Sequence, residues 1–161
     1  MSTAAQVIDR PQTETSVKVV SKAGTYMADV DKIPWTPFVF PKTFFKLLHL
    51  NEDRGAATLL LLAEQGAPTP IHKHVGAAEV YVLRGSFSYE EGTAHANCYV
   101  HEAGGVVHVA EANDEILAFG IFHGPLVGYN DDGTVAGVCD CELFYELAAK
   151  NGAVGHLPPR H

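Results

Sequence analysis

The chain has 161 residues, a hydrophobic fraction of 47%, a charged fraction of 19% and a formal net charge of −8. That length fits one domain rather than two, and the apolar fraction is enough to build a core. The acidic balance, without any cluster of Lys or Arg, argues against nucleic acid or an anionic membrane as a partner.

Residues 1–24 are polar and poor in aromatics, so a flexible leader is expected there, with an arm-like segment at "VKVV" (17–20). They lack an apolar stretch of signal-peptide length, and no later run reaches the span of a bilayer. A cytoplasmic location is therefore expected. One domain is expected over 25–150, followed by a loose C-terminal tail over 151–161.

From residue 33 short apolar runs alternate with turn residues. The runs fall at 43–50, 56–64, 79–90, 97–110, 115–122 and 126–138, separated by turn signals such as "NEDRG", "QGAPTP", "EGT" and "HGP". A strand every eight to twelve residues or so argues for an all-β sandwich or barrel. Only 141–150 has helical spacing, with Leu143, Phe144 and Leu147 on one face and "NG" as its stop. Gly76, Gly85, Gly104 and Gly105 are expected at bends that need positive φ. Trp35 is expected on the outside of the barrel or at a subunit contact. The three cysteines, Cys98 and the Cys139/Cys141 pair, do not form a disulfide framework and are expected to be semi-buried strand residues.

Chemistry concentrates between 66 and 110. Residues two apart on a strand share a face, so His72 and His74 point the same way with Lys73 opposite. Two imidazoles on one strand can hold one metal ion. A third candidate, His108, follows the Gly104–Gly105 corner and shares its face with Val106 and Ala110. An imidazole on so apolar a face needs a partner. Glu79 shares a face with Tyr81 and Leu83. If that face is inward, its carboxylate arrives beside the histidines.

Gly66-x5-His72-x-His74-x4-Glu79-x5-Gly85 resembles the first cupin motif, and Ala103-Gly104-Gly105-Val106-Val107-His108 resembles the second. Ala103 stands where proline is usual, and the Glu79–Gly85 gap is one residue short. The short gap is similar to a cupin subgroup, the acetylacetone-cleaving and 2,4'-dihydroxyacetophenone dioxygenases. The runs "FKLLH" (45–49), "FHGPL" (122–126) and "YNDDGTVAG" (129–137) resemble that subgroup too. The resemblance implies a double-stranded β-helix, the cupin jelly roll, with a short C-terminal helix. It implies Fe(II) held by His72, His74 and His108, with Glu79 either a fourth ligand or a group orienting a histidine or a water. The ligand set alone would also suit Zn, Ni, Cu or Mn.

The function this implies is O2-dependent cleavage of a C–C bond in a small β-diketone or hydroxyketone. Inward candidates for the pocket wall are Phe45, Leu47, His49, Tyr81, Leu83, Leu117, Phe119, Ile121 and His123. His123 is the candidate general base or anchor for a substrate oxygen. His49 and His101 are weaker candidates, and His95, His156 and His161 are expected in solvent. The partners expected are a small ketone, O2 and further copies of the chain in a homodimer or homotetramer. Two alternatives stay open. One is a metal- or ligand-binding sensor without turnover. The other is a cupin isomerase or lyase using another divalent metal, disfavoured by the apolar inward set.

Overall fold

The computed structural model describes residues 17–19 and 25–160; the rest of the expected leader lies outside the described residues. Two short strands, β1 (Val17–Val19) and β2 (Tyr26–Ala28), pair antiparallel at the start. The body follows in chain order as β3 (Thr36–Pro37), β4 (Thr43–Asn51), β5 (Ala56–Ala63), β6 (Pro68–His74) and β7 (Ala78–Arg84). Next come β8 (Ser86–Tyr89), β9 (Gly92–His95), β10 (Tyr99–Glu102) and β11 (Val107–Ala112). The last strands are β12 (Ile116–Phe122), β13 (Leu126–Tyr129) and β14 (Val135–Cys139), and the chain then forms helix α1 (Cys141–Lys150).

The body strands form two six-stranded sheets. The first has the order β10-β7-β12-β5-β4-β3 and the second β14-β13-β6-β11-β8-β9. Neighbouring strands within each sheet run antiparallel. Inner-face residues of both sheets meet in the core. Val80, Val82, Phe87, Ile116 and Ala118 pack one part of it. Phe45, Leu47, Leu59, Phe122 and Phe144 pack the other.

Helix α1 closes the second part. Asp140 caps it, its carboxylate accepting from the Leu143 amide at 2.9 Å. The helix buries Phe144 and Ala148, and the Phe144 ring stacks on Phe38 with centroids 5.4 Å apart. Leu143 and Leu147 pack against the same cluster. The tail after it is not loose. Ala153 is fully buried, and His156, expected in solvent, is 1% exposed with Nε2 2.6 Å from the Leu47 carbonyl. Arg160 pairs with Glu142 at 2.6 Å and also with Glu52. Trp35 is half-buried beneath the Lys46 ammonium, 4.9 Å from its ring centre.

Two glycines shape the crossings between sheets. Gly85 has φ 78 and lies against the Glu115 carbonyl, so a side chain there is excluded twice over. Gly76 does not have positive φ; a Cβ on it would lie 2.5 Å from the His123 carbonyl oxygen, so close backbone approach is what excludes one. This contact seats the β6–β7 crossing against the end of β12. Among the described residues no helix is long and apolar enough to cross a membrane.

Candidate metal centre

Strand β6 turns His72 and His74 inward, and both are buried. Strand β11 lies antiparallel to β6 with His108 directly opposite His72. The three Nε2 atoms converge: 3.1 Å between His72 and His74, 3.1 Å between His74 and His108, 3.2 Å between His108 and His72. The Pro70 carbonyl lies 2.8 Å from His72 Nδ1. A carbonyl only accepts, so Nδ1 carries the proton and the Nε2 lone pair faces the other two rings.

Three nitrogens about 2.1 Å from one ion are about 3.0 Å apart at right angles and about 3.4 Å apart at tetrahedral angles. The observed separations fall between, so the donor set fits a divalent metal capped on one face by three imidazoles. Without an ion, three facing nitrogens cannot all be satisfied by one another. Burial lowers the basicity of His72 and His108. Burial, then the neighbouring His72 and His108, pushes His74 down to about 3. All three are therefore neutral, the form a metal takes.

The carboxylate beside this cluster belongs to Glu102. Its Oε2 lies 3.5 Å from His74 Nε2 and its Oε1 3.7 Å from His108 Nε2. Burial raises its pKa, while the hydroxyl of Tyr89, which donates to Oε1, pulls the other way. The Tyr89 ring also stacks on His108. Phe122 stacks on His74 with planes 12° apart. Above the cluster is a cavity of about 150 Å³ whose wall includes Phe40, Leu61, Val80, Phe87, Ala118 and Phe122.

Glu79 and His123, expected to act beside the metal, face outward instead. They bond each other at 2.8 Å, and Tyr99 donates to Glu79 at 2.9 Å. Both are more than a third exposed and neither lines the cavity. The two bonds lower the Glu79 pKa, His123 contributing most. The reason is the crossing at 75–77. It carries the chain from the second sheet to the first, so the facing of β6 does not carry over to β7. Val80 and Val82 turn inward; Tyr81 and Leu83 are exposed.

β12 is offset in the same way, with Ile116, Ala118 and Phe122 inward in place of Leu117, Phe119, Ile121 and His123. His101 pairs with Glu79 across β10 and β7 and shares its outer face. Phe45 and Leu47 turn inward as expected but pack in the core and do not line the cavity, and a register shift after Leu47 turns His49 out to solvent beside Tyr26.

Sequence reasoning missed Glu102 and Tyr89. Glu102 alternates with His101 on β10, and an inward strand end just before the Gly104–Gly105 corner was the available clue.

The family model of the ChrR cupin-like domain matches residues 23–127. No curated protein matches the chain. Among solved structures, a candidate acetylacetone dioxygenase from Methylibium petroleiphilum PM1 is 26% identical, with TM-score 0.74, over 82% of this chain and 99% of that one. An RmlC-like cupin protein from Ralstonia eutropha JMP134 is also 26% identical, with TM-score 0.73, over 83% and 90% of the two chains. An acetylacetone dioxygenase from Acinetobacter johnsonii shares the fold at 20% identity and TM-score 0.68, over 88% and 96%. Two antiparallel sheets, inward histidines from neighbouring strands of one sheet and the family match lead to one conclusion: the chain belongs to the ChrR cupin-like domain family and has the cupin fold.

Proposed function

We propose that the chain is an Fe(II)-dependent dioxygenase that cleaves a C–C bond in a small β-diketone, with the metal held by His72, His74 and His108. The observation that carries this reading is the convergence of three neutral ring nitrogens under an apolar cavity of about 150 Å³. Three imidazoles carry no charge, so a dication held by them is offset only by the nearby Glu102 carboxylate and keeps net positive charge, which favours a chelating anion such as an enolate. The names of the Methylibium and Acinetobacter proteins support the substrate class. When bound, iron(II) would lower the pKa of the ketone and bring it together with O2.

The chain's own residues supply the rest. Phe40, Leu61, Phe87 and Phe122 exclude water from the ketone. Tyr89 holds Glu102 through Oε1, which leaves Oε2 free to take the proton that an enolising ketone gives up. A cavity of this volume holds a molecule about the size of benzene. That suits acetylacetone better than an aryl hydroxyketone. Both atoms of O2 end in the two smaller carbonyl products.

The test is anaerobic reconstitution with Fe(II), addition of acetylacetone, then admission of air. The expected result is one O2 consumed for each ketone cleaved. Bound iron with no oxygen uptake would defeat the reading. It would favour a second one, a metal-binding sensor without turnover, which the ChrR-like family description supports.

A further inference from the structure

Across β14, β13, β6 and β11 the outer face of the second sheet carries an apolar patch where a solvent-facing sheet is normally polar. One cross-strand row runs Val138–Val127–Lys73–Val107. Val138 and Val107 are half exposed, and Ile71 and Val109, 41% and 54% exposed, extend the patch along β6 and β11. β-branched side chains standing out from strands are what a second packed sheet requires. A bare contiguous patch of this kind marks an interaction surface.

The charges at its two ends complement each other. Lys73 sits beside Val107 at one end, and exposed Glu111 lies at the other, opposite Pro68. Four residues of strand separate Val107 from Glu111, about 13 Å. Val107, Val109 and Glu111 alternate with the inward His108, Ala110 and Ala112, so all three share the outer face. A two-fold axis lying between two copies and running across their strands sets Lys73 of each over Glu111 of the other. Ile71 and Val109 then meet their own counterparts near the axis. This self-complementarity is what a closed dimer interface needs.

We infer that a second copy of this chain packs face to face on this sheet, with Lys73 of each copy paired to Glu111 of the other. The pairing is independent of the chemistry proposed for the metal centre.

Sedimentation equilibrium on the full chain tests it. The wild type sediments as a dimer at micromolar concentration. Lys73→Glu and Glu111→Lys each place like charges in contact and raise the dimer Kd by at least about ten-fold. The double charge swap restores it to within about three-fold of wild type, because the pair is reformed with reversed sign. Val109→Glu, at the patch centre, also dissociates the dimer. Circular dichroism and bound-metal content, read on every variant, show that the barrel is intact. A monomeric wild type would overturn the inference, whether the face is bare or covered by residues 1–16 or another protein. So would a dimer indifferent to both single reversals, or a charge swap that fails to restore association.

Discussion

The ring of Tyr89 lies almost parallel to the imidazole of His108, with centroids 4.6 Å apart and planes 13° apart. The same side chain donates its hydroxyl to Glu102. One residue on β8 thus positions both a candidate metal ligand on β11 and the nearest carboxylate on β10. Tyr89→Phe keeps the stack and removes the donor. It is expected to leave metal affinity within a few-fold and to lower kcat/KM by about ten-fold or more. Tyr89→Ala removes both contacts and should weaken metal binding by about ten-fold as well. Competition with a chelator, alongside oxygen uptake, separates the two effects.

Metal binding is linked to protons. The His74 pKa falls to about 3 through burial and its two neighbours, against an ordinary value of 6.5. Above pH 6.5 the histidine is neutral whether folded or unfolded, so the shift has no effect. Between 6.5 and about 3 the unfolded chain binds a proton that the folded one refuses, and the apoprotein loses stability as the pH falls. Free ligands compete with protons in the same direction. Apoprotein Tm should be flat above pH 7 and decline below 6.5, and replacing His74 with Asn should flatten part of that decline.

The cavity sets substrate size. Leu61 lines it beside the aromatic residues. Leu61→Ala adds volume and should shift the ratio of kcat/KM for an aryl hydroxyketone over acetylacetone upward by about ten-fold. Because Leu61 is only partly buried, its fold cost should lie at or below the low end of the about 2–5 kcal/mol of a buried leucine, measured by denaturant unfolding.

The Phe144 ring is the largest buried anchor of helix α1. Phe144 is 3% exposed and touches Phe38, Phe45 and Phe122. Phe144→Ala should cost about 3–5 kcal/mol. Because Phe122 also stacks on His74, the same change should loosen the metal centre measurably in chelator competition.

Much of this was legible in the residues. The runs 43–50, 56–64 and 115–122 are strands within a residue or two, the helix over 141–150 is as expected, and the H-x-H and the histidine after the glycine corner converge. The facing of β7 and β12 was not legible. Both strands are apolar on both sides, so alternation marks two faces without saying which is inner. The sequence leaves the facing of Glu79 open, and it turns outward because the β6–β7 crossing changes sheets, so the inward facing of His72 and His74 does not extend to β7. Burial of His156 was equally hidden, since it depends on a tail folding back onto β4, a contact 109 residues apart in sequence.

Metal content per chain, measured after Fe(II) loading and gel filtration, tests the metal centre most directly. One ion per wild-type chain is predicted, with binding lost in His72→Ala, His74→Ala and His108→Ala and retained in Glu79→Gln. An ion that survives removal of any two of the histidines, or departs with the Glu79 carboxylate, would contradict the account.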